Sequence, residues 1–357
     1  MKYRIVSRFV TVSVVELHYY LPLTTLRLTI FFLSVFFSLT LTSCDTFSGK
    51  NKKPAQALSP IDSISELITA NPERASLYNE RALLYIDKKD FKSAKIDASK
   101  AINLDSTISE YYVTLADAYF TNEPKECVAS LKKAISLDHT NIEALRRISE
   151  LYLYVNRLEE SLTYANQILE LDPNYSKAFE IKGMCYKLAG DTVRAILNFR
   201  EAVDKDPQDY NAYMMLAQLH NGLKDKLAVT YYNNALSLKP KSLEAYYGLA
   251  MFYQETGELN RAIETYSVIL TIDPNYKNAH FNLGYIHFNY LKNYNQALKH
   301  FDDAVKSDAS YYEAVYMRGV CYETLGDIQR AKGEYTRALQ INPAYKMALD
   351  GMNRVLK

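Results

Sequence analysis

Tryptophan is absent from this 357-residue chain, and cysteine occurs only four times. Cys44, Cys127, Cys185 and Cys321 show no metal-type pair spacing and are too sparse for a disulfide framework. An excess of one charge is missing too, since 42 Lys and Arg stand against 41 Asp and Glu. Residues 1–44 hold Lys2, Arg4, Arg8 and Arg27 against Glu16, so from Asp45 onward 38 cations face 40 anions. A near-neutral body argues against a protein that holds nucleic acid by neutralising phosphates, and no nucleic-acid partner is expected. There is no Gly-rich phosphate loop and no HExxH-type zinc motif. His280 and His287 stand seven residues apart, about 10 Å along a helix, too far to share one metal. No catalytic set, metal or cofactor is expected, and the chain does not read as an enzyme.

What the chain has in abundance is tyrosine, 31 of them, and most fall at one spacing. Tyr85, Tyr119, Tyr152, Tyr186, His220, Tyr253, His287 and Tyr322 follow one another at 33 to 35 residues. Small residues keep the same step three positions earlier: Ala82, Ala116, Ser149, Gly183, Ala217, Ala250, Gly284 and Gly319. A second small position runs Ala94, Cys127, Ser161, Ala195, Ala228, Ala262, Ala297 and Ala331. Pro173, Pro207, Pro240, Pro274 and Pro343 close five of the eight units. Within a unit such as 176–209 the apolar positions trace two helical faces, split at Ala189-Gly190-Asp191. Helices this short cannot bury that face without copies on either side. Cys127 fills a small core position, and Cys185 and Cys321 share one position four repeats apart. All three read as buried free thiols, Cys185 and Cys321 being far beyond each other's disulfide reach.

Period, small residues, aromatics and prolines together resemble the tetratricopeptide repeat. The resemblance implies an all-α fold, a right-handed superhelical solenoid of about eight helix–turn–helix units. These are 75–108, 109–141, 142–175, 176–209, 210–242, 243–276, 277–311 and 312–345. A partial helix at 60–74 precedes them and a capping helix at 346–357 follows. Small residues let the two helices of a unit approach, and Phe199, Tyr232, Tyr266, Phe301 and Tyr335 fill the space toward the next unit. Gly190, Gly257 and Gly326 suit left-handed helix ends. Asp191, Glu258 and Asp327 suit the starts of the helices that follow. Units two and five lack one residue and unit seven has one extra, changes placed in the turns.

In this family the first helices line a concave groove through positions 2, 5, 6, 9, 12 and 13. In units five to eight those positions include Met214, Met215, Gln218, Tyr247, Met251, Phe281, Asn282, Tyr285, Phe288, Tyr316 and Met317. The early units offer polar groups instead, with Arg146 and Arg147 placed to select an acidic stretch. The Lys/Asn carboxylate clamp of chaperone-binding members is not matched, since Asn79, Leu83, Val113 and Thr114 hold those places.

Residues 28–42 are apolar or hydroxylic without charge, the length of a signal-peptide core and short for a membrane span. The run ends in Leu41-Thr42-Ser43-Cys44, which resembles the bacterial lipobox. That resemblance implies a signal peptide over 1–43, lipidation of Cys44, and a flexible tether over 44–59. The expected protein is a scaffold anchored by lipid to a membrane of the bacterial cell envelope, with its repeats outside the cytoplasm. It would bind a protein or extended peptide in assembly or maintenance of an envelope complex. The alternative is a receptor for a small ligand such as a glycan or peptidoglycan fragment, held by Tyr faces and the Asn282 amide.

Overall fold

The structure, a computed structural model, describes residues 58–356. The apolar run, Cys44 and most of the tether lie outside the described residues. The chain divides after Pro173 into two compact units. In the first, a lone helix α1 (Pro60–Ala70) precedes three hairpins. These pair α2 (Ala75–Asp87) with α3 (Phe91–Leu104), α4 (Ser109–Tyr119) with α5 (Pro124–Leu137), and α6 (Ile142–Tyr154) with α7 (Leu158–Leu171). The second holds five hairpins. They are α8 (Ser176–Leu188) with α9 (Thr192–Lys205), α10 (Tyr210–Gly222) with α11 (Leu227–Leu238), and α12 (Leu243–Glu255) with α13 (Leu259–Ile272). Then come α14 (Lys277–Asn289) with α15 (Tyr294–Ser307), α16 (Tyr312–Thr324) with α17 (Ile328–Ile341), and a final helix α18 (Lys346–Val355). Each compact unit is thus an all-α stack of helical hairpins, and no strand occurs among the described residues. None of the described helices is long and apolar enough to cross a membrane.

The stacks are held by rings set against small residues. A Cβ added at Gly183 would lie 2.9 Å from the Phe199 ring, and one at Gly284 would lie 2.8 Å from Phe301. The ring therefore sits on the small residue of its own hairpin, not only against the next one. Tyr335 does both, lying against Gly319 in its own hairpin and Gly351 in α18. Cys127, Cys185 and Cys321 are free thiols buried among these contacts.

Successive first helices touch one another, α2 with α4, α4 with α6, and α10 with α12, while successive second helices make no comparable contact. Within each stack the first helices therefore lie on the inside of the curve.

Hairpin turns close by one repeated bond. The backbone N–H after the turn donates to the carbonyl of the recurring aromatic position: Asp191 to Tyr186 at 2.9 Å, Glu258 to Tyr253 and Asp327 to Tyr322 at 2.8 Å. The residue between is left-handed, Gly190, Gly257 and Gly326 at φ 78°, 82° and 83°. Four other hairpins force Lys89, Asn156, Lys224 and Lys292 into the same region, at φ 53° to 60°. In unit two the bond runs from Glu123 to Tyr119, one residue shorter, and no left-handed residue is needed. In unit seven it runs from Asn293 to His287, one residue longer.

One expectation needs correction. The residue missing from unit five comes out of the first turn of α11, which starts with the tighter Ala228 to Asp225 bond at 3.0 Å. Asp191, Glu258 and Asp327 each pair with the arginine three residues on, and Asp191 and Asp327 also accept a backbone N–H, which Glu258 does not.

The ring-on-glycine packing sets a cost. Phe199 is 1% exposed, and Phe199→Ala should lower stability by about 3–5 kcal/mol through lost burial and a cavity. Denaturant unfolding checks this, and a loss below about 1 kcal/mol would mean the site collapses around the missing ring.

Candidate functional site

The inner helices of the first unit present charge, but that charge is already used. Arg146 has an 8% exposed side chain and contacts Glu150 at 2.6 Å and Glu143 at 2.5 Å. Arg147 reaches Asp117 at 3.2 Å and Glu143 at 2.9 Å. The expectation that both arginines stand free to select an acidic partner is therefore corrected. Glu143 and Glu150 flank Arg146 at helical spacing on α6 and satisfy it locally. Burial pushes the Asp117 carboxyl up to about 6, with Arg147 working against it and Glu143 adding to it.

In the second unit the inner face is built from rings. In units six, seven and eight, three aromatic side chains form the same triad. The ring at the fifth position of the first helix lies between the second-helix ring and the residue just before the next first helix. Tyr247 sits 6.1 Å from Tyr266 and 5.9 Å from Tyr276, between ring centroids. Phe281 sits 5.6 Å from Phe301 and 5.2 Å from Tyr311. Tyr316 sits 5.7 Å from Tyr335 and 5.4 Å from Tyr345. These separations fall in the range where aromatic pairs attract beyond simple burial. Tyr276, Tyr311 and Tyr345 escape a reading of helical periodicity because they lie outside the helices.

Each of these three tyrosines occupies an N-cap position yet makes no side-chain cap bond. At the corresponding place Asn141, Asp209 and Ser242 do cap, donated to by Ala144, Ala212 and Ala245 at 2.9 to 3.1 Å. A lost cap costs about 1 kcal/mol, which the stacked ring offsets by about the same amount.

The other expected groove residues divide. Met214, Met215, Asn282, Tyr316 and Met317 are buried, between 2% and 8% exposed. They are packed or bonded, not open as the sequence pattern suggests: Met214 lies in the core with Tyr232, Leu249 and Tyr253, and Tyr316 lies against the Tyr335 and Tyr345 rings. The Asn282 amide donates to the Tyr247 hydroxyl at 3.1 Å and contacts the Met251 sulfur at 3.7 Å. It ties two hairpins together, and the small-ligand alternative loses its amide. Gln218, Tyr247, Met251, Phe281, Tyr285 and Phe288 remain half-buried. Tyr285 meets Tyr290, and Phe288 meets Tyr294.

Two clusters were not legible. His300 of α15 stacks on His287 at 5.5 Å and lies tilted against His280 at 5.9 Å, both on α14. Burial, with the charges of His287 and His280, pulls its pKa down to about 4, so the ring is neutral at ordinary pH. No group of His, Cys, Asp and Glu among the described residues has the geometry of a metal site. On α8, Glu180 lies against Lys177 at 2.7 Å and beside the Asp209 carboxylate. Burial pushes the Glu180 carboxyl up to about 8; Lys177 opposes the shift and Asp209 adds to it.

Family models described as tetratricopeptide repeat match residues 75–108, 147–210, 226–284 and 290–346. A DnaJ homolog subfamily C member 7 homolog of Schizosaccharomyces pombe is 23% identical over 82% of this chain and 61% of its own length. A TPR repeat-containing protein of Methanocaldococcus jannaschii is 23% identical over 74% of this chain and 48% of its own. The chain thus spans about half to three fifths of these relatives. Among solved structures, the C-terminal part of a TPR repeat-containing protein from Cytophaga hutchinsonii superposes with a TM-score of 0.50 at 19% identity. It covers 61% of this chain and 91% of that one, a likeness of fold alone.

The Glu180 site makes stability depend on pH. Folded, Glu180 keeps its proton up to about pH 8; unfolded, it loses it near 4.5. The folded chain binds the extra proton across that window, so this group's contribution falls as pH rises from about 5 to 8. Glu180→Gln should raise the thermal midpoint relative to the parent at pH 8, with the two converging near pH 4. A pH-independent offset would show that Glu180 is ionised in the fold.

Proposed function

Because the chain belongs to the tetratricopeptide-repeat family, we propose that it is a binding scaffold that takes an extended peptide or protein segment along its second compact unit. The reading rests on the ring triads of units six to eight. Three consecutive hairpins repeat the same arrangement on the inner face, and each gives up a helix cap to do so. Tyr276, Tyr311 and Tyr345, half-buried and spaced by a structural repeat, suit a chain laid across them in extended form. Rigid aromatic side chains supply contact area at low entropic cost. The role is capture, not turnover.

The scaffold is further proposed to be held to a membrane of the bacterial cell envelope through lipid on Cys44, serving assembly or maintenance of a complex there. Support comes from the sequence of residues 28–44. The polar tether up to residue 59 would stand the repeats off the bilayer, and its Lys50, Lys52 and Lys53 could touch anionic lipid head groups.

Two experiments test these parts separately. Tyr276→Ser with Tyr311→Ser removes two rings while supplying the cap that Ser242 already provides elsewhere. Stability should change by no more than about 1 kcal/mol per site, while partner capture in native-host cross-linking is lost. Capture that survives places the site elsewhere. Separately, Cys44→Ala should abolish fatty-acid labelling and move the protein from the membrane to the soluble fraction; persistent labelling rules the anchor out.

A further inference from the structure

Two helices stand alone in this chain, and each is half of a hairpin. Helix α1 occupies the place of a second helix. Pro72 precedes α2 by three residues, as Pro173 precedes α8 and Pro207 precedes α10. The turn closes by the bond used there too: the Arg74 N–H donates to the Asn71 carbonyl at 3.1 Å, as the Asp209 N–H donates to Asp206 at 3.1 Å. Ile68 then matches Val203 and Val305, and all three are buried. Helix α18 occupies the place of a first helix, starting three residues after Pro343, with Gly351 under the Tyr335 ring of the hairpin before it. Among the described residues, α1 has no first helix before it and α18 has no second helix after it.

We propose that α18 of one copy of this chain and α1 of another pack as the first and second helices of a composite hairpin, joining copies head to tail. Each helix exposes the face that its counterpart covers elsewhere. Leu67 is 50% exposed, whereas the residue at its place in all eight complete hairpins, Ile168 and Ile269 among them, is 0% exposed. On α18, Asn353 is exposed at the place where those hairpins bury a Gly, Ala or Ser. Leu349 and Leu356 flank Asn353 by about one turn on either side and are 44% and 60% exposed. The two faces depart from the usual pattern in compensating ways. Asn353 is larger than the small residues at its place, and Ile64 is shorter than the Phe199, Tyr232 and Tyr335 rings at its own. A second copy supplies what each end lacks, in the register used eight times along the chain.

The contact is heterologous: one copy uses α18 and the other α1, so a joined pair still has one of each to offer. It is also small. A helix of 11 residues against one of 10 stays below the roughly 1,200 Å² of a stable standard interface, so joining rises with concentration. Leu67, Leu349, Asn353 and Leu356 lie outside the ring triads, and head-to-tail joining is independent of what the inner face binds.

The test is disulfide capture between full-length copies that all carry Cys44→Ala, so that the remaining native thiols, Cys127, Cys185 and Cys321, are buried. In unit three the residues equivalent to Asn353 and Pro60 are Ser149 and Ser161, whose hydroxyl oxygens lie 3.3 Å apart. A copy with Pro60→Cys, mixed with a copy with Asn353→Cys and oxidised, should give a linked heterodimer at least about fivefold above either variant alone. Asp62→Cys, about 200° further round α1, should not link to Asn353→Cys. Adding Leu67→Glu to the Pro60→Cys copy should lower the yield at least about fivefold by burying a charge. Because Leu67 is half exposed within its own chain, the thermal midpoint should stay unchanged. The proposal is overturned if the mixture links no more than the single variants, if Asp62→Cys links as readily as Pro60→Cys, or if Leu67→Glu leaves the yield intact. A Pro60→Cys copy that links mainly to itself also overturns it, in favour of a symmetric α1 pair.

Discussion

Everything in this protein follows from two helices that must approach more closely than ordinary side chains allow. A ring on the second helix needs somewhere flat to lie, and a Gly, Ala or Ser on the first helix provides it. Gly183 beneath Phe199, Gly284 beneath Phe301 and Gly319 beneath Tyr335 are the tightest cases. A hairpin packed this way still exposes the outer side of its ring, so another hairpin has to cover it, as α18 does with Gly351 against Tyr335. The repeat length is the number of residues needed to return to the same place in that stack. Where the turn is one residue short or long, the closing bond from the next helix slides by one residue and the stack continues.

That constraint leaves some positions unused by packing, and those are where the units differ. The residue before each first helix is one. Its backbone is extended at Asp209, Ser242, Tyr276 and Tyr345 alike. The backbone at this place therefore accepts either a capping side chain or a ring. A cap is the choice that stabilises the helix most directly. Choosing tyrosine at three successive junctions departs from the locally best solution, and such departures concentrate at functional places.

The fold was readable because its determinants are local and periodic: small residues, rings and prolines recur at one step along the chain. The candidate site was readable only in part. Tyr247, Phe281 and Tyr316 stand at positions that point inward by helical spacing. Their partners Tyr276, Tyr311 and Tyr345 lie between helices, where periodicity says nothing about direction. Arg146 and Arg147 misled for a different reason. Position within the repeat predicts which way a side chain points but not whether Glu143, Glu150 and Asp117 will neutralise it on arrival. His300 was invisible for the same reason, since its contacts with His280 and His287 cross between helices.

The same geometry shows how such a face acquires its chemistry. The hairpin brings the fifth residue of a first helix beside the residue that precedes the next first helix. In unit four that pairing is Glu180 with Asp209, two carboxyl groups, one of which keeps its proton. In units six, seven and eight it is Tyr247 with Tyr276, Phe281 with Tyr311, and Tyr316 with Tyr345. Substituting this pair leaves the hairpin turn as it is, because neither residue takes part in the closing backbone bond. The sequence at two positions per repeat can therefore change from acid to aromatic while the helices stay in place. On the function proposed above, a stack built this way would separate what makes it fold from what it binds, with recognition set along the inner face one pair at a time.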